Sequence, residues 1–579
     1  MKKQLIKQIP ATDSDFSEII RNNNYYIDKT RYIPYFEESQ RKFAVFLRPR
    51  RFGKSLFLST LHYYYGIEHK NSFQELFGSY YIGDPKNTTT TANSYYILRF
   101  DFSGIYTQNK DTLQKDFTAR VFAGISSFLD RYGLNSDKLA KDKIDSTSGH
   151  SSLESFFRLL SEDNFKGRIF ILIDEYDHFT NELFSFDLEF FKDIVTRNGW
   201  VRKFYETIKI YVGAGYVSRF FATGVTPVTL DAMTSGFNIT RNLTFQSELH
   251  EMMGFTEAEV LEMINGTFEE PESLNIDQII LDIRAWYNGS RFSDDGAQKL
   301  YNPQMMCYFL DSLKRTGKYP NPMADITVAS DYAKISKIMD LIPGRISSEI
   351  IDDVLENESI REGLTLQFNF ELNISKVDLV SLLFYNGLLT IESVRANTYT
   401  YIVPNYVIKQ LYWAFFRSKL SQKLDFEYSN PVVTDLVAQM GEEGKIDLLI
   451  ECVNNIFKKL SNRDLINYKE IDLKLLFVSV LSMSPEYILY SEFESDRKYT
   501  DLLVLRNSEY NLKYQYLFEF KFIKDETEDK FEKVKETGLK QLSDYIKTEK
   551  ISSIDSLKAY LIIYSGKKQG RVFEVGVTL

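Results

Sequence analysis

Arg48-Pro49-Arg50-Arg51-Phe52-Gly53-Lys54-Ser55 stands between an apolar run, Phe43 to Leu47, and a helix-like stretch that begins at Leu56. Strand, loop and helix in that order make a phosphate cradle. Backbone N–H groups and a helix N-terminus hold an anion, a Lys ammonium reaches terminal phosphates, and a Ser hydroxyl sits on Mg2+. Arg168-Ile169-Phe170-Ile171-Leu172-Ile173-Asp174-Glu175 supplies the complement. It is a buried-type strand ending in two adjacent carboxylates. The first suits a magnesium shell and the second suits the polarising of an attacking water. Together the two segments predict nucleotide binding. Arg48 occupies the position where Gly-x-x-x-x-Gly-Lys-Ser/Thr loops carry their first glycine. That glycine permits a turn with φ > 0, which Arg tolerates poorly, so Pro49 and three arginines are expected to bring stiffness and positive charge instead.

Working outward, strands are expected at 43–47, Tyr95 to Asp101, 168–173 and Arg219 to Val225. Helices are expected at 55–65, 111–131, near 152–162, at 183–197 and at 199–210, with a solvated loop over 137–151. Such alternation implies a parallel sheet with its ligand at the carboxyl ends of the strands. A strand inserted between the loop and the acidic strand is the order of the additional-strand, catalytic-glutamate (ASCE) class of P-loop ATPases. Residues 1–41, polar and rich in Asn and Tyr, are expected to strap across this domain. From 226 to 315 the pattern is helical, and 316–345, with Pro320, Pro322, Pro343 and Gly344, reads as a connector. Over 375–413 a helix from Lys376, a turn at Asn386-Gly387 and two short strands read as winged-helix-like.

The chain has 579 residues, enough for three or four domains, with 44% hydrophobic and 26% charged residues and a net charge of −10. The charge argues against a wholesale polyanion binder but not against a local basic groove. Cys307 and Cys452 are the two cysteines, without Cys-x-x-Cys spacing, which excludes a zinc finger and a disulfide framework and fits a reducing compartment. No apolar run approaches the roughly 18 residues of a membrane span, so a cytoplasmic protein, or a nuclear one in a eukaryote, is expected.

Past residue 440 the composition shifts. The segment Ser491 to Leu505 puts Asp501 at the head of a strand, and Gln515 to Lys521 reads as a second strand, joined through the turn Arg506 to Asn511. Alternation sets Glu519 and Lys521 on one face in line with Leu517, and Phe518 and Phe520 on the other. An acid followed by Glu-x-Lys on the adjacent strand is the arrangement of a metal-dependent phosphodiester cleavage site. The carboxylates hold hard cations and the Lys positions or activates water. Glu-x-Lys alone more often marks a solvated pair on an edge strand. Asp501, the strand–turn–strand context and a following amphipathic helix holding Gln541 favour the site.

These residues resemble the AAA-ATPase-like proteins that carry a C-terminal PD-(D/E)XK nuclease domain. The resemblance runs through Tyr26-Ile27-Asp28-Lys29-Thr30, the Arg-rich loop, Leu172 to Asp177 and Thr223-Gly224-Val225-Thr226-Pro227. It continues through Thr234-Ser235-Gly236-Phe237-Asn238, Trp286-Tyr287-Asn288-Gly289 and Tyr301-Asn302-Pro303, then Glu492, Asp501, Glu519-Phe520-Lys521 and Gln541. An Arg-rich loop is normal in that family. Lys498-Tyr499 stands where the family shows Gly-Arg before the first nuclease acid.

The expected architecture is α/β. A P-loop (ASCE-type) parallel-sheet ATPase domain with its strap covers 1–235, a helical lid and connector 236–345, and a helical, winged-helix-like region 346–435. A restriction-endonuclease-like domain covers 436–579. The resemblance implies ATP held by Arg50, Arg51, Phe52, Gly53, Lys54 and Ser55, with Mg2+ on Ser55 and Asp174. Glu175 would polarise water and Thr223 would take the sensor position. It further implies Mg2+ or Mn2+ on Asp501 and Glu519, catalysis by Lys521, and support from Glu492 and Gln541. His178, without a His or Cys partner, reads as a loop residue. The expected partners are ATP and either DNA or RNA, with no membrane, and a homo-oligomer is compatible with this reading. Two functions stay open: an ATPase whose nucleotide cycle controls a nuclease, or an ATP-driven switch or scaffold whose silent nuclease fold binds nucleic acid or protein.

Overall fold

The computed structural model describes residues 6–10, 13–107, 109–134, 136, 139–195, 199–229, 238–293, 298–324, 329–341, 344–368, 373–424, 430–460, 468–495, 498–507, 509–566 and 569–576. The chain divides into two compact units, Met1–Arg315 with Lys334–Tyr406, and Thr316–Ala333 with Val407–Leu579.

The first unit is built on five strands, β1 (Phe43–Leu47), β2 (Tyr96–Asp101), β3 (Ile169–Asp174), β4 (Val217–Gly224) and β5 (Arg241–Asn242). They run parallel in the order β2-β3-β4-β1-β5, so β4 lies between the loop strand β1 and the acidic strand β3. Every residue of β3 is buried, as a strand with helices on both faces requires. On one face the loop helix Lys54–Tyr65 packs through Phe57, which meets Phe221 of β4 at 6.2 Å. On the other, Phe100 of β2 and Phe117 of helix Lys110–Arg131 meet Phe204 of helix Trp200–Gly213 at 5.7 and 5.3 Å. The register sets Leu47 beside Gly224 and Ile173 beside Ala222, so the carboxyl ends of β1, β3 and β4 finish flush. That edge carries Leu47, Asp174 and Gly224 at its strand ends.

The helices differ from the expectation at two places. The single helix over 183–197 is two, His178–Phe186 and Leu188–Val195. They break at Asp187, whose carboxylate accepts the Phe190 N–H at 3.0 Å and starts the second helix. The Pro-punctuated segment 316–345 contains a helix, Ala329–Asp340.

The same unit holds a small antiparallel sheet, β6 (Ser359–Glu362), β7 (Thr390–Arg395) and β8 (Thr398–Ile402), in the order β6-β8-β7. Helix Lys376–Tyr385 stands between β6 and the β7–β8 hairpin, and it opens with a capping box between Ser375 and Asp378. At the turn after that helix Gly387 has φ +77, and a Cβ there would lie 3.0 Å from the Pro49 side chain. The turn after this helix therefore abuts the Arg-rich loop.

The second unit is a mixed sheet of β9 (Tyr487–Ser495), β10 (Lys498–Arg506), β11 (Gln515–Ile523), β12 (Leu557–Ser565) and β13 (Arg571–Val575), in the order β13-β12-β11-β10-β9. Only β11 and β12 pair in parallel. Leu503, Leu517 and Leu561 pack with Phe531 and Leu542 of helix Glu528–Ile546. Phe520 meets Phe477 of helix Glu470–Leu481 at 4.8 Å. Asp501 is the fourth residue of β10 rather than its head, because the hairpin with β9 extends the strand back to Lys498. Among the described residues no helix is long and apolar enough to cross a membrane.

Candidate functional site

The loop leaves β1 at Leu47 and enters its helix at Lys54. Its left-handed backbone falls on Arg51 (φ 69) and Gly53 (φ 85), not on Arg48. A Cβ on Gly53 would meet nothing within 4 Å, so glycine serves the backbone conformation there rather than space. Arg48 is buried and turned inward, which corrects the view of it as loop charge. It donates to the Leu47 and Thr244 carbonyls at 2.9 Å and to the His250 carbonyl at 3.2 Å. Its guanidinium lies between the Phe46 and Phe292 rings at 4.2 and 4.3 Å, and burial pushes its pKa down to about 9. Arg48 bolts the loop to the chain that follows β5. Arg50 and Arg51 are the arginines that line the cavity.

That cavity, of about 360 Å³, is lined by the loop from Arg50 to Ser55, by Glu175, and by Tyr25–Ile27 of the strap. Lys54 is buried in it, donating to the Pro49 carbonyl at 3.0 Å. Burial lowers the pKa of its ammonium, with Glu175, Asp174 and Asp177 opposing. Ser55 lines the same space. Asp174 is buried, and its Oδ1 accepts from Thr223 Oγ1 at 2.9 Å and from the Glu175 N–H at 3.1 Å. Thr223 thus acts on Asp174. Oδ2 of Asp174 faces Arg99 Nη2 at 4.0 Å, a residue that sequence reading passed over.

Glu175 holds φ at 50, a left-handed conformation that a glutamate rarely adopts and that concentrates at functional positions. His178 Nδ1 stands 3.4 Å from Glu175 Oε2 and 3.3 Å from Arg50 Nη2. His178 is therefore no loop residue. It opens a helix and links the second acid to a loop arginine. Asp177, the last residue of the quoted Leu172 to Asp177 motif and without an expected role, accepts the Val225 and Thr226 N–H groups on its carboxylate at 3.1 and 2.6 Å, latching β3 to β4. Gly224 leaves room for it, since a Cβ there would stand 2.2 Å from Asp177 Oδ1.

The other quoted motifs close the unit around this site. Lys29 and Glu259, both buried, pair at 2.7 Å and tie the strap to helix Glu257–Thr267. Asn302 donates to the Arg50 carbonyl at 3.4 Å, beside Tyr301 bonded to Glu257. Thr234 to Phe237 lie outside the described residues.

In the second unit the pairing Leu502↔Phe518 and Leu503↔Leu517, carried one step on, sets Asp501 opposite Glu519. Asp501 Oδ2 accepts the Phe520 N–H at 2.7 Å. Glu519 is buried, with Oε1 on Lys521 Nζ at 2.8 Å and Oε2 without a hydrogen-bond partner. Burial, and then the charge of Asp501, push the Glu519 pKa up to about 7. Asp501 is also raised, burial leading, with the Phe520 N–H and the charges of Lys521 and Lys474 opposing. Gln541 Oε1 is buried without a hydrogen-bond partner as well, on the helix whose Leu542 packs with Leu517. An orphaned carboxylate oxygen beside a second carboxylate fits a hard divalent cation.

Lys521 Nζ also donates to Glu470 Oε2 at 2.9 Å. Burial disfavours the Lys521 charge, but Glu519, Glu470 and Asp501 outweigh it and hold its pKa above the ordinary value. Glu470 and the buried Lys474, one helical turn on, were missed in sequence. The signal was Lys474 itself, a lone cation inside the apolar stretch Leu473 to Leu481. Glu492 falls in β9, and its side chain lies outside the described residues.

Residues 10–234 match a family of predicted AAA-ATPases, and residues 469–574 match the PD-(D/E)XK nuclease superfamily. An uncharacterized protein from the vnfD 5′ region of Azotobacter chroococcum mcd 1 is 26% identical over 301 residues, 51% of this chain and 50% of that protein. The chain therefore spans half the length of this relative. A Walker-type ATPase of Pyrococcus abyssi is similar with a TM-score of 0.40 at 12% identity, over 71% of this chain and 99% of that one. The chain carries an AAA-ATPase-like domain followed by a C-terminal domain of the PD-(D/E)XK nuclease superfamily.

Proposed function

We propose that the first unit binds and hydrolyses ATP, and that its nucleotide cycle controls metal-dependent cleavage of DNA or RNA at Asp501, Glu519 and Lys521. What carries this reading is Lys54, an ammonium buried in a cavity lined also by Glu175 and two loop arginines, where it would meet terminal phosphates. The Ser55 hydroxyl and the Asp174 carboxylate are hard oxygen ligands that would hold Mg2+, which neutralises phosphate charge when bound. Thr223 keeps Asp174 in place. Glu175 polarises the attacking water, with His178 and Arg50 orienting its carboxylate. In the second unit Asp501 and Glu519 would hold Mg2+ or Mn2+, which supplies Lewis-acid stabilisation of a phosphoryl oxygen. Lys521, aimed by Glu519 and Glu470, positions water.

The test is ATP turnover and cleavage of single- and double-stranded DNA and RNA with Mg2+ or Mn2+, each with and without ATP. Glu175→Gln is expected to retain ATP binding while turnover falls by about 100-fold or more, since the amide keeps the shape and loses the base. Turnover at the wild-type rate would move that role to another residue.

The raised pKa of Glu519 has a signed consequence. A carboxyl whose folded value exceeds its unfolded value stabilises the fold fully below the unfolded value. That contribution is lost as pH rises through the folded value, about 7. The metal-free second unit is therefore expected to melt lower at about pH 8 than at about pH 5, with Mn2+ raising the midpoint at the higher pH only. A midpoint independent of pH and metal would remove Glu519 as a ligand.

The scaffold reading draws on Lys521 being held by two carboxylates and on Lys498-Tyr499 in place of Gly-Arg. Absence of cleavage with either metal would decide for it.

A further inference from the structure

The last turn of the loop helix and the turn beyond it gather a second set of ligating side chains. His62 lies eight residues after Lys54, about 12 Å along the helix at 1.5 Å per residue. Gly66 then lets the chain fold back tightly: a Cβ there would stand 2.7 Å from the His62 carbonyl oxygen and 2.8 Å from Glu68 Oε2. The turn is pinned by the Gly66 N–H on the His62 carbonyl at 2.8 Å, the Ile67 N–H on the Tyr95 carbonyl at 2.9 Å, and Asn93 Nδ2 on the Gly66 carbonyl at 2.8 Å.

This geometry brings His62 Nε2 to 3.1 Å and His69 Nε2 to 3.6 Å from one oxygen, Glu68 Oε1. One ligand atom from each of the three residues lies within 4.8 Å of the others. His69 Nε2 is a buried atom with no hydrogen-bond partner, and an orphaned nitrogen beside a carboxylate oxygen calls for a water or an ion. The second oxygen of Glu68 is taken by the Tyr132 hydroxyl at 2.8 Å, the outer-shell bond that orients a ligating carboxylate. The Tyr63 ring packs on His69 at 4.3 Å and fixes its plane.

We propose that His62, Glu68 and His69 bind one transition-metal ion of the Zn2+ type through two imidazole nitrogens and one carboxylate oxygen, with water in the fourth position. Burial keeps both imidazoles below their usual pKa, in the neutral form that ligates a metal. Arg131 Nε, 3.7 Å from Glu68 Oε1, disfavours a hard cation held by the carboxylate alone, whereas two imidazoles select Zn2+, Co2+, Ni2+ or Cu2+ over Mg2+ and Ca2+. The ion would clip the far end of the loop helix to the turn beside β2, apart from the phosphate cradle.

The test uses tag-free, full-length Asp501→Asn protein, stripped by chelator and free of nucleotide, so that the C-terminal acids do not compete. Titration with Co2+ is expected to give one four-coordinate ion per chain by visible d–d absorption, and Zn2+ to raise the melting temperature. His69→Ala and the shape-preserving Glu68→Gln should each abolish both effects, with ATP binding retained as the sign of an intact fold. Tyr132→Phe should weaken Co2+ binding by about 10- to 100-fold. No Co2+ bound by the parent, or binding unchanged in Glu68→Gln and His69→Ala, overturns the assignment.

Discussion

Lys54→Ala is expected to lower ATP affinity by about a hundredfold or more, while the nucleotide-free protein melts no lower than the parent. The first effect follows from truncating one partner of a desolvated charge pair, which costs about 2–5 kcal/mol, or roughly 30- to 4,000-fold in affinity. Lys54 sits at the head of the loop helix, inside the cavity, and its ammonium donates to the Pro49 carbonyl at 3.0 Å. The second effect has the opposite sign for a physical reason. Burial depresses the pKa of Lys54 despite Glu175, Asp174 and Asp177 nearby. A base with a folded pKa below its unfolded one binds protons more weakly when folded, so its charge costs stability at neutral pH, and alanine removes that cost. Calorimetric titration with ATP and a thermal melt without it read the two effects separately. Unchanged ATP affinity would end the phosphate-cradle assignment.

Asp501→Asn should reduce metal-dependent cleavage by more than about a hundredfold, because loss of even an outer-shell partner costs about 10- to 100-fold in metal affinity or activity. The asparagine keeps an acceptor for the Phe520 N–H, now held at 2.7 Å, so folding is preserved. It also removes the charge that, after burial, does most to raise the pKa of Glu519. The metal-free melting midpoint should then depend less on pH than that of the parent. ATP turnover should be unaffected, since the two sites belong to separate compact units. Cleavage surviving in this variant would place the activity elsewhere. Loss of cleavage with an unaltered pH profile would mean that Asp501 and Glu519 do not sense each other.

Local pattern carried the first unit a long way. Phe43 to Leu47 and Ile169 to Ile173 are apolar without alternation, the mark of strands covered on both faces, and both are strands of the parallel sheet. Lys54 and the acids Asp174 and Glu175 stand at strand and helix ends, where short-range order alone fixes their places. On β11, period-two alternation was enough to separate Leu517 from Phe518 and Phe520, which pack on opposite faces.

Arg48 shows where that reasoning stops. In sequence it is one of three loop arginines. In the fold its guanidinium meets the carbonyls of Leu47, Thr244 and His250, and the last two lie some 200 residues away. Glu470 is hidden for the same reason, since it reaches Lys521 across 51 residues, whereas His178 meets Glu175 locally, once a helix begins there. The cluster of His62, Glu68 and His69 went unread because it depends on a Gly66 turn that no spacing rule encodes. Backbone periodicity and short-range order set the loop, the acidic strand and the alternating Glu-x-Lys strand, which is why local pattern was enough to read them. Tertiary structure alone decided the inward turn of Arg48, the orphaned oxygen of Glu519 and the pairing of Lys521 with Glu470, because side-chain burial and charge pairing there depend on contacts distant in the chain.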